Sequence, residues 1–104
     1  MDAVDTTEGV DLRTLPPMTT VLVTTRNSLY RIVTSSGTEV VVQGGAYFPE
    51  PKTAFVEGAS VGGSCLKVGW IGVGLVMEIR DAGRRIVTSP VRAIMAEGTP
   101  SRVH

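Results

Sequence analysis

Histidine is the commonest side chain for moving protons or ligating metals near neutral pH, and this chain has one, His104, its last residue. With the single cysteine Cys65 and no second histidine, the sequence holds no zinc set, no Cys-His pair and no Ser-His-Asp triad. Carboxylates are the remaining proton-transfer groups. Glu39, Glu50, Glu57, Glu78 and Asp81 lie in the body of the chain, and two of them converging in space would make an acid–base pair. Several alternate outward beside Lys or Arg, the pattern of solvated surface charge. The sequence therefore predicts no cofactor, no metal centre and no enzyme, with carboxylate catalysis as the residual alternative.

Glycine-rich stretches invite a phosphate-binding reading that their context contradicts. In Gly58-Ala59-Ser60-Val61-Gly62-Gly63-Ser64, Gly63 stands where a phosphate loop has its lysine, and Cys65 to Gly69 does not read as the helix that must follow. Gly69-Trp70-Ile71-Gly72-Val73-Gly74 lacks the glycine spacing of a dinucleotide fingerprint and opens no helix. The signature of the PilZ family of cyclic-dinucleotide-binding barrels is not met either. Gly58 replaces its acidic or amide residue, and the one Arg-x-x-x-Arg, Arg80 to Arg84, follows Ser60-Val61-Gly62-Gly63 instead of preceding it.

A third chemistry is stacking and phosphate contact on a small β domain, which needs exposed aromatics beside arginines. Tyr30 and Phe55 fall in strands and are expected in the core. Tyr47, Phe48 and Trp70 remain as candidate binding residues, with Arg26, Arg84, Arg85 and Arg92 as their basic companions. Residues 1–11 carry Asp2, Asp5, Glu8 and Asp11 and no Lys or Arg, so in a chain of zero net charge the rest carries +4. A mildly basic body is compatible with an anionic partner, including single-stranded nucleic acid. Cys65, among small and apolar neighbours, is expected as a reduced core residue.

The elements that must position these residues are strands. A chain of 104 residues fits one domain with a thin core, and no apolar run approaches the ~20 residues of a membrane helix. An acidic amino terminus, unlike a secretory signal, gives a cytoplasmic expectation. Residues 1–16, closed by Pro16-Pro17, read as a flexible acidic leader, residues 17–96 as a single β-barrel-like domain, and residues 97–104 as a flexible tail. Within the body, β-branched residues dominate and no segment keeps a helical period.

Thr20–Thr25, Leu29–Thr34 and Thr38–Gln43 form a three-stranded meander. Pro49 and Pro51 make 46–52 a loop crossing, and Asp81-Ala82-Gly83 is a hairpin turn ahead of a returning strand from Arg84. The expected fold is all-β: a small, strongly curved sheet or closed barrel of SH3-like or similar type, with about six to eight short strands and no substantial helix. Missing catalytic residues, a thin core and the apolar run Val40-Val41-Val42 favour a binding or assembly module forming a homo-oligomer. A protein or anionic-ligand partner, nucleic acid included, is the alternative, and no membrane partner is expected.

Overall fold

The structure, a computed structural model, describes residues 4–62 and 65–97. It contains β1 (Val4–Thr7), β2 (Gly9–Asp11), a single 3-10 turn (Leu12–Thr14), β3 (Thr20–Thr25), β4 (Leu29–Ser36), β5 (Glu39–Gly44) and β6 (Phe48–Ser60). After these come β7 (Lys67–Val68), β8 (Trp70–Gly72), β9 (Val76–Asp81), β10 (Arg84–Val87) and β11 (Val91–Glu97). Among the described residues there is no α-helix, and no helix long and apolar enough to cross a membrane. The meander is in place. Strict alternation along β3, β4 and β5 turns Val21, Val23, Tyr30, Ile32, Val40 and Val42 inward, all buried, and Leu22, Arg31, Val33 and Val41 outward.

The larger sheet runs β1-β11-β3-β4-β5-β6-β9-β10 with β7 added to β6, and every ladder in it is antiparallel. β6 is long because it serves two neighbours in turn. Its first half pairs with β5 through Phe55, and residues Phe55–Ser60 pair with β9 on the other edge. The inner faces of all these strands except β1 and β7 supply one core, to which the separate two-stranded sheet β2–β8 adds Ile71, beside Leu12 of the 3-10 turn. No ladder joins β1 to β10 among the described residues, so the sheet is all-β as expected but not closed into a barrel. The strands number eleven among those residues, not six to eight, because the expected leader contributes β1 and β2 and the stretch from Trp70 divides into β8 and β9.

Three further expectations are corrected. Residues 4–11 of the supposed leader form β1 and β2, and Leu12 just beyond them is 1% exposed, so this stretch is part of the folded body; residues 1–3 lie outside the described residues. Of the loop crossing over 46–52, residues 48–52 are instead the start of β6. Up to Ala54 that strand has a ladder partner on one edge only, so Pro49 and Pro51 can direct their donorless nitrogens to the open edge. Cys65 is exposed rather than in the core. Of the expected tail, Glu97 ends β11 and residues 98–104 lie outside the described residues.

Candidate binding surfaces

The β9–β10 hairpin sorts charge by face. Its two-residue loop needs positive φ twice, supplied by Ala82 (φ 51°) and Gly83 (φ 87°), and this places Arg84 opposite Asp81 and Arg85 opposite Arg80. Consecutive residues of a strand point to opposite faces, so Arg84 and Arg85 never share a surface. Arg84 Nη2 donates to Asp81 Oδ2 at 3.3 Å, and Lys52 Nζ donates to the same oxygen at 3.0 Å. The Arg84 guanidinium also lies 5.9 Å from the ring centroid of exposed Tyr47. Lys52, and secondarily Arg84, hold the Asp81 carboxyl below the ordinary carboxylate range despite the opposing effect of burial.

On the other face, Arg85 Nε and Nη2 both donate to Glu78 Oε1, at 3.0 and 2.6 Å, while Ser60 Oγ donates to Oε2 at 2.6 Å. Glu78 is 4% exposed, and the Ser60 hydroxyl first, then Arg85, push its pKa down. Beside it, Arg80 Nε donates to Glu57 Oε2 at 2.6 Å, and its guanidinium lies 5.1 Å from the Phe55 ring centroid. The two buried carboxylates thus stand on opposite faces of β9, Asp81 held by Lys52 and Arg84, Glu78 by Arg85 and the Ser60 hydroxyl. That arrangement builds structure; it is not a pair that passes a proton.

Trp70 lies on the small sheet. There Gly9 pairs with Gly72, and a Cβ on Gly9 would fall 2.1 Å from Trp70 Cζ2, one on Gly72 2.6 Å from its Nε1. The indole therefore rests on a floor of two glycines, half-buried, with Lys67 Nζ 3.9 Å from its ring centroid. Asp11, opposite Trp70 in the ladder, accepts from Arg13 through both carboxylate oxygens.

Of the seven candidate binding residues, Tyr47 and Arg84 are the one aromatic and arginine that the structure brings into contact among the described residues. Phe48 is 1% exposed and belongs to the core, because β6 starts there and its alternation turns that ring inward. Arg26 and Arg92 are exposed near the Thr25–Val91 end of the β3–β11 ladder, and neither makes an ion pair among the described residues. Arg85 serves Glu78 on the outward face, and Trp70 sits on the second sheet.

Comparison with protein-family models, curated proteins and solved structures finds no match.

The surface that sequence reasoning caught only in part is the outward face of the large sheet. Cross-strand register aligns Met95, Leu22, Arg31 and Gln43 in one row, Thr20, Val33, Val41 and Thr53 in the next, and Ser36, Glu39, Phe55 and Arg80 in the third. The apolar members Met95, Leu22, Val33, Val41 and Phe55 form a diagonal strip across five strands, each half-buried or exposed. The run Val40-Val41-Val42 was the visible signal, since its middle member must face away from the other two. Phe55, expected in the core, is 38% exposed because Ala54 and Val56 take the inward positions of β6.

Proposed function

We propose that this chain is a small non-enzymatic binding module that assembles with copies of itself. The observation supporting this reading best is the diagonal strip of Met95, Leu22, Val33, Val41 and Phe55 on the outward sheet face. An antiparallel sheet with one face on the core ordinarily turns polar side chains to water on the other, and a row of apolar side chains there favours a surface to be covered. A chain of this size also has little core to spare, so burying a second face adds proportionally more stability than in a larger domain.

The basic side chains argue in the same direction. Arg13, Lys52, Arg80, Arg84 and Arg85 each hold a carboxylate of this same chain, which leaves fewer cations to neutralise phosphates than the +4 of residues 12–104 suggests. Binding of a protein or anionic ligand, nucleic acid included, is the second reading, and the place that favours it is the sheet end where Tyr47, Lys52 and Arg84 lie together. Sedimentation velocity over about 1 to 100 μM, the range of weak specific association, tests the first reading. A sedimentation coefficient rising with concentration is the expected result, and a monomer throughout overturns it. Retention of single-stranded DNA at low salt, lost in an Arg84→Ala, Lys52→Ala variant, would favour the second reading instead.

A further inference from the structure

The lysines and arginines of the chain are unevenly engaged. Arg13, Lys52, Arg80, Arg84 and Arg85 each hold a carboxylate, and Lys67 lies over the Trp70 ring. Arg102 lies outside the described residues. That leaves Arg26, Arg31 and Arg92, all exposed and none in an ion pair among the described residues. The three lie on adjoining segments, toward the Thr25 end of β11, β3 and β4. Thr24 of β3 pairs with Ala93 of β11 on one side and Leu29 of β4 on the other; one row along, Leu22 pairs with Met95 and Arg31. The register shift between Val91 and Ala93 gives β11 an extra residue at Arg92, so Val91 and Ile94 both stay buried while Arg92 and Ala93 are exposed. Arg26 follows Thr25. Its N–H donates to Pro90 O at 3.0 Å and the Asn27 N–H to Ser89 Oγ at 3.2 Å, which ties the β3–β4 turn to the bend that leads into Arg92.

The carboxylate nearest this corner by register is Glu8, one residue past the Thr7–Ile94 pair, and it makes no ion pair with any of the three. Three guanidiniums against one carboxylate leave the corner positive. Because the inner faces of these strands wrap a single core, side chains on the outer face diverge, and the three present separate contact points instead of one shared cradle. That geometry suits a partner with repeated negative charges better than a single ion. All three cations are arginines, whose planar fork takes two oxygens of one phosphate. No aromatic side chain stands in the Thr24 or Leu22 row, so the stacking platform that holds single strands is missing there, and the regular phosphates of a duplex are the better match. Resting on the second reading above, an anionic partner, but placing it away from Lys52 and Arg84, which already hold Asp81, we infer that Arg26, Arg31 and Arg92 dock on the phosphate backbone of double-stranded nucleic acid. The contact reads no sequence, since phosphates carry none.

Salt dependence and substitution test it together. Fluorescence anisotropy of a short labelled DNA duplex is followed on adding the full chain at several sodium chloride concentrations, for the wild type, Arg26→Ala, Arg31→Ala, Arg92→Ala, the triple variant and Lys52→Ala with Arg84→Ala. Circular dichroism confirms that each is folded. The association constant is expected to fall with salt on a log–log slope of about −2.7, or about −0.9 for each of three phosphates. Each single variant shallows that slope by about 0.9, and the triple variant weakens binding at about 50 mM salt by about tenfold or more. Duplex binding unchanged in the triple variant but lost with Lys52→Ala and Arg84→Ala overturns this inference and leaves the anionic-partner reading standing. A slope steeper than about −5 overturns it too, since the ion-paired cations would then be taking part. So does tighter binding of the matched single strand, or binding to vesicles of phosphatidylserine and phosphatidylcholine, with the same dependence on the three arginines, by a chain that ignores the duplex. No binding to duplex, single strand or vesicles overturns both this inference and the reading on which it rests.

Discussion

Arg80 and Arg85 stand directly opposite one another across the β9–β10 ladder, yet each donates to a different carboxylate, Arg80 to Glu57 and Arg85 to Glu78. Like charges facing across a sheet repel, so the two carboxylates are what makes the pairing tolerable. Glu78→Gln removes one of them, leaving Arg85 uncompensated beside Arg80 and the Ser60 hydroxyl facing an amide. The expected cost is about 1–3 kcal/mol in urea unfolding. Adding Arg85→Leu to Glu78→Gln recovers part of the loss, because it removes the uncompensated guanidinium from beside Arg80. A double variant no more stable than Glu78→Gln alone would show that the Arg80–Arg85 repulsion is not what Glu78 offsets.

Acid sensitivity follows from the same carboxylates. Glu78 and Asp81 have pKa values lowered in the folded protein, by Ser60 and Arg85 in one case and by Lys52 and Arg84 in the other. A lowered folded-state pKa means that the unfolded chain binds protons first as pH falls. The stabilisation is therefore fully present above the ordinary carboxylate range, about pH 5, and is lost progressively as pH drops toward the folded-state values. Melting temperature measured from about pH 2.5 to 7 is expected to be flat above pH 5 and to fall steeply below about pH 4. Glu78→Gln and Asp81→Asn should each shallow that acid limb, and an unchanged limb in both variants would place the acid sensitivity elsewhere.

Truncation separates the observed amino-terminal strands from the leader the sequence suggests. Removing residues 1–11 deletes β1 and β2, exposing the edge of β11 and leaving Ile71 and Leu12 without the strand that pairs beside them. A flexible leader would be lost without effect. The folded arrangement predicts a loss of more than about 1 kcal/mol, or about 4–8 °C in melting temperature, by differential scanning calorimetry. Equal melting temperatures for the truncated and full chains would return residues 1–11 to the role of a leader.

Where alternation was sustained, the sequence was legible. β3, β4 and β5 were readable because six or more residues alternate between turn signals, and the Ala82–Gly83 turn because its chemistry is local. β1 and β2 were not, since strands of three or four residues have too few positions for a period and are defined by distant partners. The same limit applies to the surfaces. Tyr47 and Arg84 were each readable as polar-tipped or charged residues, but their proximity depends on how the β5–β6 and β9–β10 connections meet. Burial of Glu78 was hidden because alternation correctly turns it away from the core, while shielding on that outer face comes from neighbours distant in sequence, Ser60 and Arg85. The outward strip was half-visible in Val41, and its other members are spread over four other strands that only the register aligns.

The glycine floor under Trp70 gives the most direct optical test of the fold, because this is the only tryptophan in the chain. Gly9 and Gly72 are paired across β2 and β8, and the indole covers both, as an aromatic side chain does when it shields glycines in a neighbouring strand. A methyl group at position 9 would overlap the six-membered ring at Cζ2. The ring must then lift off the ladder, losing its packing and its stacking with Lys67. Gly9→Ala is expected to cost about 1–3 kcal/mol, the range for overpacking, and to shift Trp70 emission to longer wavelength with greater quenching by iodide. Trp70→Ala in the Gly9→Ala background should remove most of that penalty, since the overlap then has no partner. Emission unchanged by Gly9→Ala would mean that the indole does not rest on β2, and with it would go the assignment of residues 9–11 to the small sheet.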